Sequence, residues 1–278
     1  MNYILTVLLV LLSVNIYGES FSIELENDFL YNTDRLYTHG TRLSYEHNEI
    51  NYSLGQNMYT PSEISVITPT TNDRPYAGTL YFGINGTKYW EDSDIYHQLE
   101  LNVGTVGKYS LCENTQKYIH DITGSQKPMG WDYQTDNMLL LQSSIRLHNE
   151  VYDSKYINSS VYLSGELGTI MAHTGAGANI MFGYNIPKTL NKPIVSKVSN
   201  FSLYMFLDGL GKNVLYNNLL DSDYTDITKE SVVYELRSGI GVVYNGCELR
   251  YTACMRTEEF KEQIDDFKFG SILIKVHF

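Results

Sequence analysis

The stretch Glu26–Gly40, ENDFLYNTDRLYTHG, crowds three acids, two asparagines, two threonines, an arginine and a histidine into fifteen residues. Carboxylate, amide and hydroxyl oxygens are what a hard divalent cation takes, six to eight at a time for calcium. The same residue types also make solvated turns between strands, and Asp28, Asn32 and Asp34 taken alone fit that role as well. A second candidate lies in ENTQKYIHDIT, where Gln116 and His120 stand four apart and share one face if the segment is helical. Imidazole is the side chain best suited to move a proton near neutral pH, although a histidine in a loop helix is, by itself, more often a surface residue. Arg74 in DRPYAG has two readings: its guanidinium suits a lipid phosphate, and Asp73 beside it suits a structural ion pair.

Composition narrows the ligand. With 32 acidic against 20 basic residues the formal charge is −12, which would repel the phosphates of nucleic acid. An acidic protein that handles an anionic ligand needs a bridge, and a divalent cation is one; the alternative is that the charge only keeps exposed loops solvated. Three cysteines, Cys112, Cys247 and Cys254, cannot all pair. Cys247 and Cys254 share one apparent strand, more than about 20 Å apart and so beyond a disulfide's reach. Their spacing matches no zinc pattern either. His39, His97, His148, His173 and His277 have no partner motif, and no serine stands in a setting that singles it out as a nucleophile.

The elements that would position these residues read as strands. Residues 1–18, MNYILTVLLVLLSVNIYG, hold an apolar run of about twelve residues followed by small and turn-forming ones, the shape of a secretory signal peptide and too short for a membrane helix. From residue 19 to 278 no linker, repeat or charge block divides the chain, so a single domain is expected. Phe21, Ile23 and Leu25 alternate with Ser22, Glu24 and Glu26, and Val232, Tyr234, Leu236, Ile240, Val242 and Tyr244 alternate with Glu235, Arg237, Gly239 and Gly241. Asn245-Gly246 then supplies a type I′ hairpin turn. Weaker segments near 51–59, 76–90, 138–152, 156–171, 176–186 and 201–210 bring the total to about twelve strands.

Charged residues such as Glu100, Arg237 and Arg250 recur on the polar face, where a soluble sandwich would not place them. An even number of long strands, 24 tyrosines and an export signal together point to an all-β fold, a transmembrane antiparallel β-barrel, apolar outside and polar within. The interval Cys112–Asn137 breaks the alternation and holds the short helix, stopped by Gly124, in a loop near the outer rim. Trp131 in that interval either packs this helix against the rim, the preferred reading, or lines an acyl groove.

Five segments then occur in order: ENDFLYNTDRLYTHG, DRPYAGTLY, QKYIHDITG, GWDYQ and FLDGLGKNVLYNNLLDS. Together they resemble the outer-membrane lipid A 3′-O-deacylases, the LpxR family, over nearly all of residues 19–278. The resemblance implies calcium-dependent hydrolysis of the 3′-linked acyl ester of lipid A in lipopolysaccharide, by a monomer in the bacterial outer membrane with its site facing the outer leaflet. It places Asn27, Asp28 and Thr38 near the metal and makes Gln116 and His120 the catalytic pair; Arg74 as a substrate contact rests on its guanidinium alone. Two positions depart from the family: Gln126 stands where some members carry an acid six residues after the histidine, and a lysine some carry after the third strand has no counterpart. An outer-membrane phospholipase, which would need a serine nucleophile, and a non-catalytic porin or adhesin are the other classes compatible with the strand pattern.

Overall fold

The computed structural model describes residues 19–28, 36–48, 50–90, 93–187, 201–264 and 266–278. The expected signal peptide, and Asn32 and Asp34, lie outside the described residues. The described strands are β1 (Glu19–Asn27), β2 (Leu36–His47), β3 (Ile50–Thr60), β4 (Ala77–Tyr89), β5 (Ile95–Val106), β6 (Met138–Asp153), β7 (Ile157–Gly168), β8 (Met171–Tyr184), β9 (Phe201–Asn217), β10 (Val232–Tyr244), β11 (Cys247–Arg256) and β12 (Phe267–His277). Each pairs antiparallel with its sequence neighbours, and β1 pairs with β12, so the twelve described strands form a closed barrel. Closure leaves no strand edge unpaired, which is the condition for crossing lipid with strands.

Alternation decides what faces where. Leu43, Leu54, Phe82, Val103 and Leu141 are successive register partners across β2 to β6, and all five are exposed. Such a row is the apolar belt that acyl chains contact. The opposite face carries the charge: Arg42 of β2 is bonded to Glu100 of β5, while Glu235 of β10 takes Lys212 at 3.0 Å and Arg256 at 2.9 Å. Arg42, Glu100, Lys212 and Arg256 line an interior cavity of about 1090 Å³. The polar face foreseen for Glu100, Arg237 and Arg250 is therefore the lumen.

Asn27 of β1 sits opposite Gly270, whereas Ser20 sits opposite His277. The connections after β1, β3, β5, β7, β9 and β11 thus share one end of the barrel, and the candidate residues are all at that end. One helix, α1 (Cys112–Thr123), stands in the connection between β5 and β6, starting one residue before the expected segment. Gly124 ends it in the left-handed conformation, φ 72°, as its lack of a Cβ allows. β9 runs seven residues past the expected Leu210, because Gly209, Gly211 and Lys212 interrupt the apolar alternation while Lys212 turns inward to Glu235.

Candidate active site

The helix does not plug the barrel; it lies against the outer wall. On β3 and β4 the outward positions run Leu54, Gln56, Met58, Thr60 and Phe82, Leu80, Gly78 by alternation from the exposed Leu54 and Phe82. Met58 packs with Ile64, Tyr76, Cys112 and Trp131 in one buried cluster. Gln56 donates through Nε2 to the Ser110 carbonyl at 2.7 Å, just before α1 begins. Gly78 makes the close approach possible, since a Cβ there would fall 2.3 Å from Ser110 Oγ and 2.6 Å from Cys112 Cβ. Cys112 itself is no nucleophile in this setting: burial pushes its thiol up to about 12.

Cys112, Gln116 and His120 form the buried face of α1, at the spacing the sequence suggested. Trp131 follows in a short 3-10 turn, tilted at 44° against Tyr76 with ring centroids 4.8 Å apart, so it packs the helix to the wall as preferred above. Its indole N–H donates to Gln116 Oε1 at 2.8 Å. An indole can only donate, which fixes the amide orientation and turns Gln116 Nε2 the other way, where it is buried without an acceptor. His120 Nδ1 is bonded to the main-chain carbonyl of Gln126. A carbonyl can only accept, so Nδ1 carries the proton and Nε2 presents a lone pair. The bond uses the backbone of Gln126, and the side chain that departs from the family pattern is not needed for it.

A second group sits on the neighbouring strands of the same outer wall. A register shift between Tyr37 and His39 sends Tyr37 into the lumen, where its ring meets Phe269 at 4.7 Å, and leaves Thr38 on the outer side. There Thr38 Oγ1 lies 2.6 Å from Thr60 Oγ1, and Asn27 Nδ2 donates to the Thr38 carbonyl at 2.8 Å. Asp28 follows, buried. Thr60 and Met58 are two apart on one face of β3, about 7 Å, so the β1–β3 group adjoins the wall on which α1 rests. Among the described residues no three His, Cys, Asp or Glu side chains gather. Among the described residues a cation here would rest on one carboxylate, Asp28, with amide, hydroxyl and carbonyl oxygens, an all-oxygen set that fits calcium and does not suit zinc.

Arg74 is placed apart from both groups. It is 1 % exposed, with its guanidinium 4.4 Å over the Tyr59 ring and Nη1 3.6 Å from Glu259 Oε2, both lumen-lining residues. Burial lowers its pKa, opposed by Glu259. The pairing alternative thus holds with Glu259 in place of Asp73, whose carboxylate accepts from the Ser62 N–H at 2.7 Å. Arg74 Nε and Nη1 keep no hydrogen-bond acceptor.

The large cavity is not where this chemistry lies. None of Asn27, Asp28, Thr38, Arg74, Gln116 and His120 lines the lumen. A Ser160–His148 contact of 3.1 Å does face it, with His148 between Tyr96 and Tyr162 at 4.4 and 4.7 Å, but both residues are buried and turned away from lipid. Thr60, Tyr76 and Gly78 were missed as site residues in the sequence. Tyr76 and Gly78 sit in a quoted motif without a stated role, and their outward parity, with that of Met58, was the available signal.

A family model described as "Outer membrane protein LpxR" matches residues 3–278. No curated protein matches the chain. Among solved structures, LpxR from Salmonella typhimurium is 20 % identical with a TM-score of 0.81, over 93 % of this chain and 100 % of that one. KdgM porin reaches a TM-score of 0.42 at 7 % identity, over 93 % of this chain and 99 % of that one. The β domain of the Bordetella autotransporter BrkA reaches 0.43 at 10 %, over 94 % and 98 %.

Proposed function

Given that this chain belongs to the LpxR family of outer-membrane proteins, we propose that it hydrolyses the 3′-position acyl ester of lipid A in lipopolysaccharide, calcium-dependently, from the outer wall of its barrel. The observation that carries the reading is the position of His120 and Gln116, on a helix applied to the lipid-facing side of β3–β4 beside the oxygen cluster of β1–β3. An ester of a membrane lipid meets a barrel on that side.

His120 Nε2 takes a proton from water, with Nδ1–H held by the Gln126 carbonyl so that the imidazolium formed is stabilised. The hydroxide attacks the ester carbonyl, and the tetrahedral oxyanion needs donors where its charge develops. The amide N–H groups of Gln116, fixed by Trp131 and otherwise without an acceptor, are such donors for the water or the oxyanion. His120 then returns the proton to the leaving sugar oxygen, giving free acid and the 3′ hydroxyl. Asn27, Asp28 and Thr38 would hold calcium, which when bound supplies Lewis-acid polarisation of the ester carbonyl and a bridge to an anionic lipid.

The test is a calcium titration of purified protein acting on lipopolysaccharide. Asp28→Asn is expected to need roughly tenfold or more calcium for half-maximal rate, because the single carboxylate of the set is neutralised. Deacylation that persists unchanged in excess chelator would refute the metal role.

A further inference from the structure

The surface of α1 divides into three flanks. At about 100° per residue, the buried face of Cys112, Gln116 and His120 separates a polar flank of Glu113, Lys117 and Asp121 from one of Tyr118, Ile119 and Ile122 that is apolar but for Thr115, with Leu111 just before the helix. On the polar flank Lys117 is bonded to Glu113 at 2.5 Å, and Asp121 to Lys127 at 2.7 Å. On the apolar flank Tyr118 and Ile122 are each 67 % exposed. Leu111 is exposed as well, although it occupies the left-handed region at φ 60°, where a glycine would sit without strain. A flank that keeps a strained leucine and two largely uncovered hydrophobic residues is not built for water.

What lies beneath it is the acyl-chain belt. Gln56, Leu80, Thr105 and Leu139 are successive register partners on β3 to β6, one continuous row on the outer wall. Leu139 is 64 % exposed, so the apolar belt includes this row, and Gln56 in the same row bonds to Ser110 at the foot of α1. The helix therefore starts from a row of the lipid-facing surface, with its apolar flank left uncovered by protein. We propose that α1 is an interfacial helix whose Leu111, Tyr118, Ile119 and Ile122 are immersed in the acyl chains of the surrounding leaflet, with Glu113, Lys117 and Asp121 among the headgroups. Such a helix lies with its apolar side some 5–10 Å into the headgroup–acyl boundary. The consequence is positional: lipid contact sets the depth at which His120 meets the membrane.

Spin-label accessibility measures that depth. In a Cys247→Ser background, which removes the exposed cysteine and leaves Cys112 and Cys254 buried, labels are placed by Ile122→Cys, Lys117→Cys and, on the belt, Leu141→Cys. Protein reconstituted in phosphatidylcholine vesicles is expected to show an oxygen-to-nickel-chelate collision ratio several-fold higher at 122 than at 117, and close to that at 141. Tyr118→Cys gives the same reading from a second position if Ile122→Cys does not fold. Equal nickel accessibility at 117 and 122, or at 117 and 118, would overturn the proposal. No lipid A is present in these vesicles, so either result stands independently of the deacylase reading.

Discussion

At the scale of single residues, the roles of His120 and Gln116 are separable. Replacing His120 by Ala removes the proton acceptor and is expected to lower kcat by about 10²–10⁴-fold, with the folded barrel intact because the imidazole's bonded partner is a rim-loop carbonyl. Trp131→Phe keeps a ring against Tyr76 but deletes the N–H that orients Gln116. About a fivefold fall in kcat with KM little changed is expected, since one neutral hydrogen bond is worth about 1 kcal/mol; steady-state kinetics on lipopolysaccharide would show it. Gln116 and His120 were legible in the sequence because one helical turn brings them together. The Thr38–Thr60 contact was not, as it spans 22 residues and depends on a register shift that strand alternation conceals.

At the scale of elements, α1 works only if it can reach the wall, and Gly78 is what lets it. Gly78→Val would drive side-chain atoms into Ser110 and Cys112, which belong to a 3-10 turn (Gly107–Ser110) and to the first turn of α1. Activity is expected to be lost while the protein still migrates as a folded, heat-modifiable barrel on gels. A barrel that fails to fold, or activity that survives, would show that the helix is not seated there. The strand count was legible because alternation survives even in weakly apolar segments, and Gly124 marked the end of α1 through its tolerance of positive φ. The extent of β9 was not, because residues that face a charged lumen, such as Lys212, look in sequence like a loop.

At the scale of the whole molecule, the lumen holds a charge network beside small apolar clusters such as Tyr37, Phe267 and Phe269. Glu235 is bonded to Lys212 and Arg256, and Arg237 approaches it at 2.5 Å, so Glu235→Leu strands buried cations. Removal of one partner from such a cluster costs about 3–5 kcal/mol, to be read as a lower urea midpoint for the heat-modifiable form. The alternation announced a barrel with a charged interior, yet it left open which side of the wall a loop would pack on. That choice rests on Met58 and Gly78 facing outward under α1, and it places the candidate chemistry against lipid and away from the large internal cavity. The central claim is that this outer-wall site cleaves the 3′ acyl ester of lipid A with His120 as base. The most direct measurement is mass spectrometry of lipid A from cells producing the protein or its His120→Ala variant in matched amounts in the outer membrane. The account predicts loss of the 3′ acyl mass with the unaltered protein and full-mass lipid A with the variant. Unchanged lipid A in both, from properly inserted protein supplied with calcium, would contradict it.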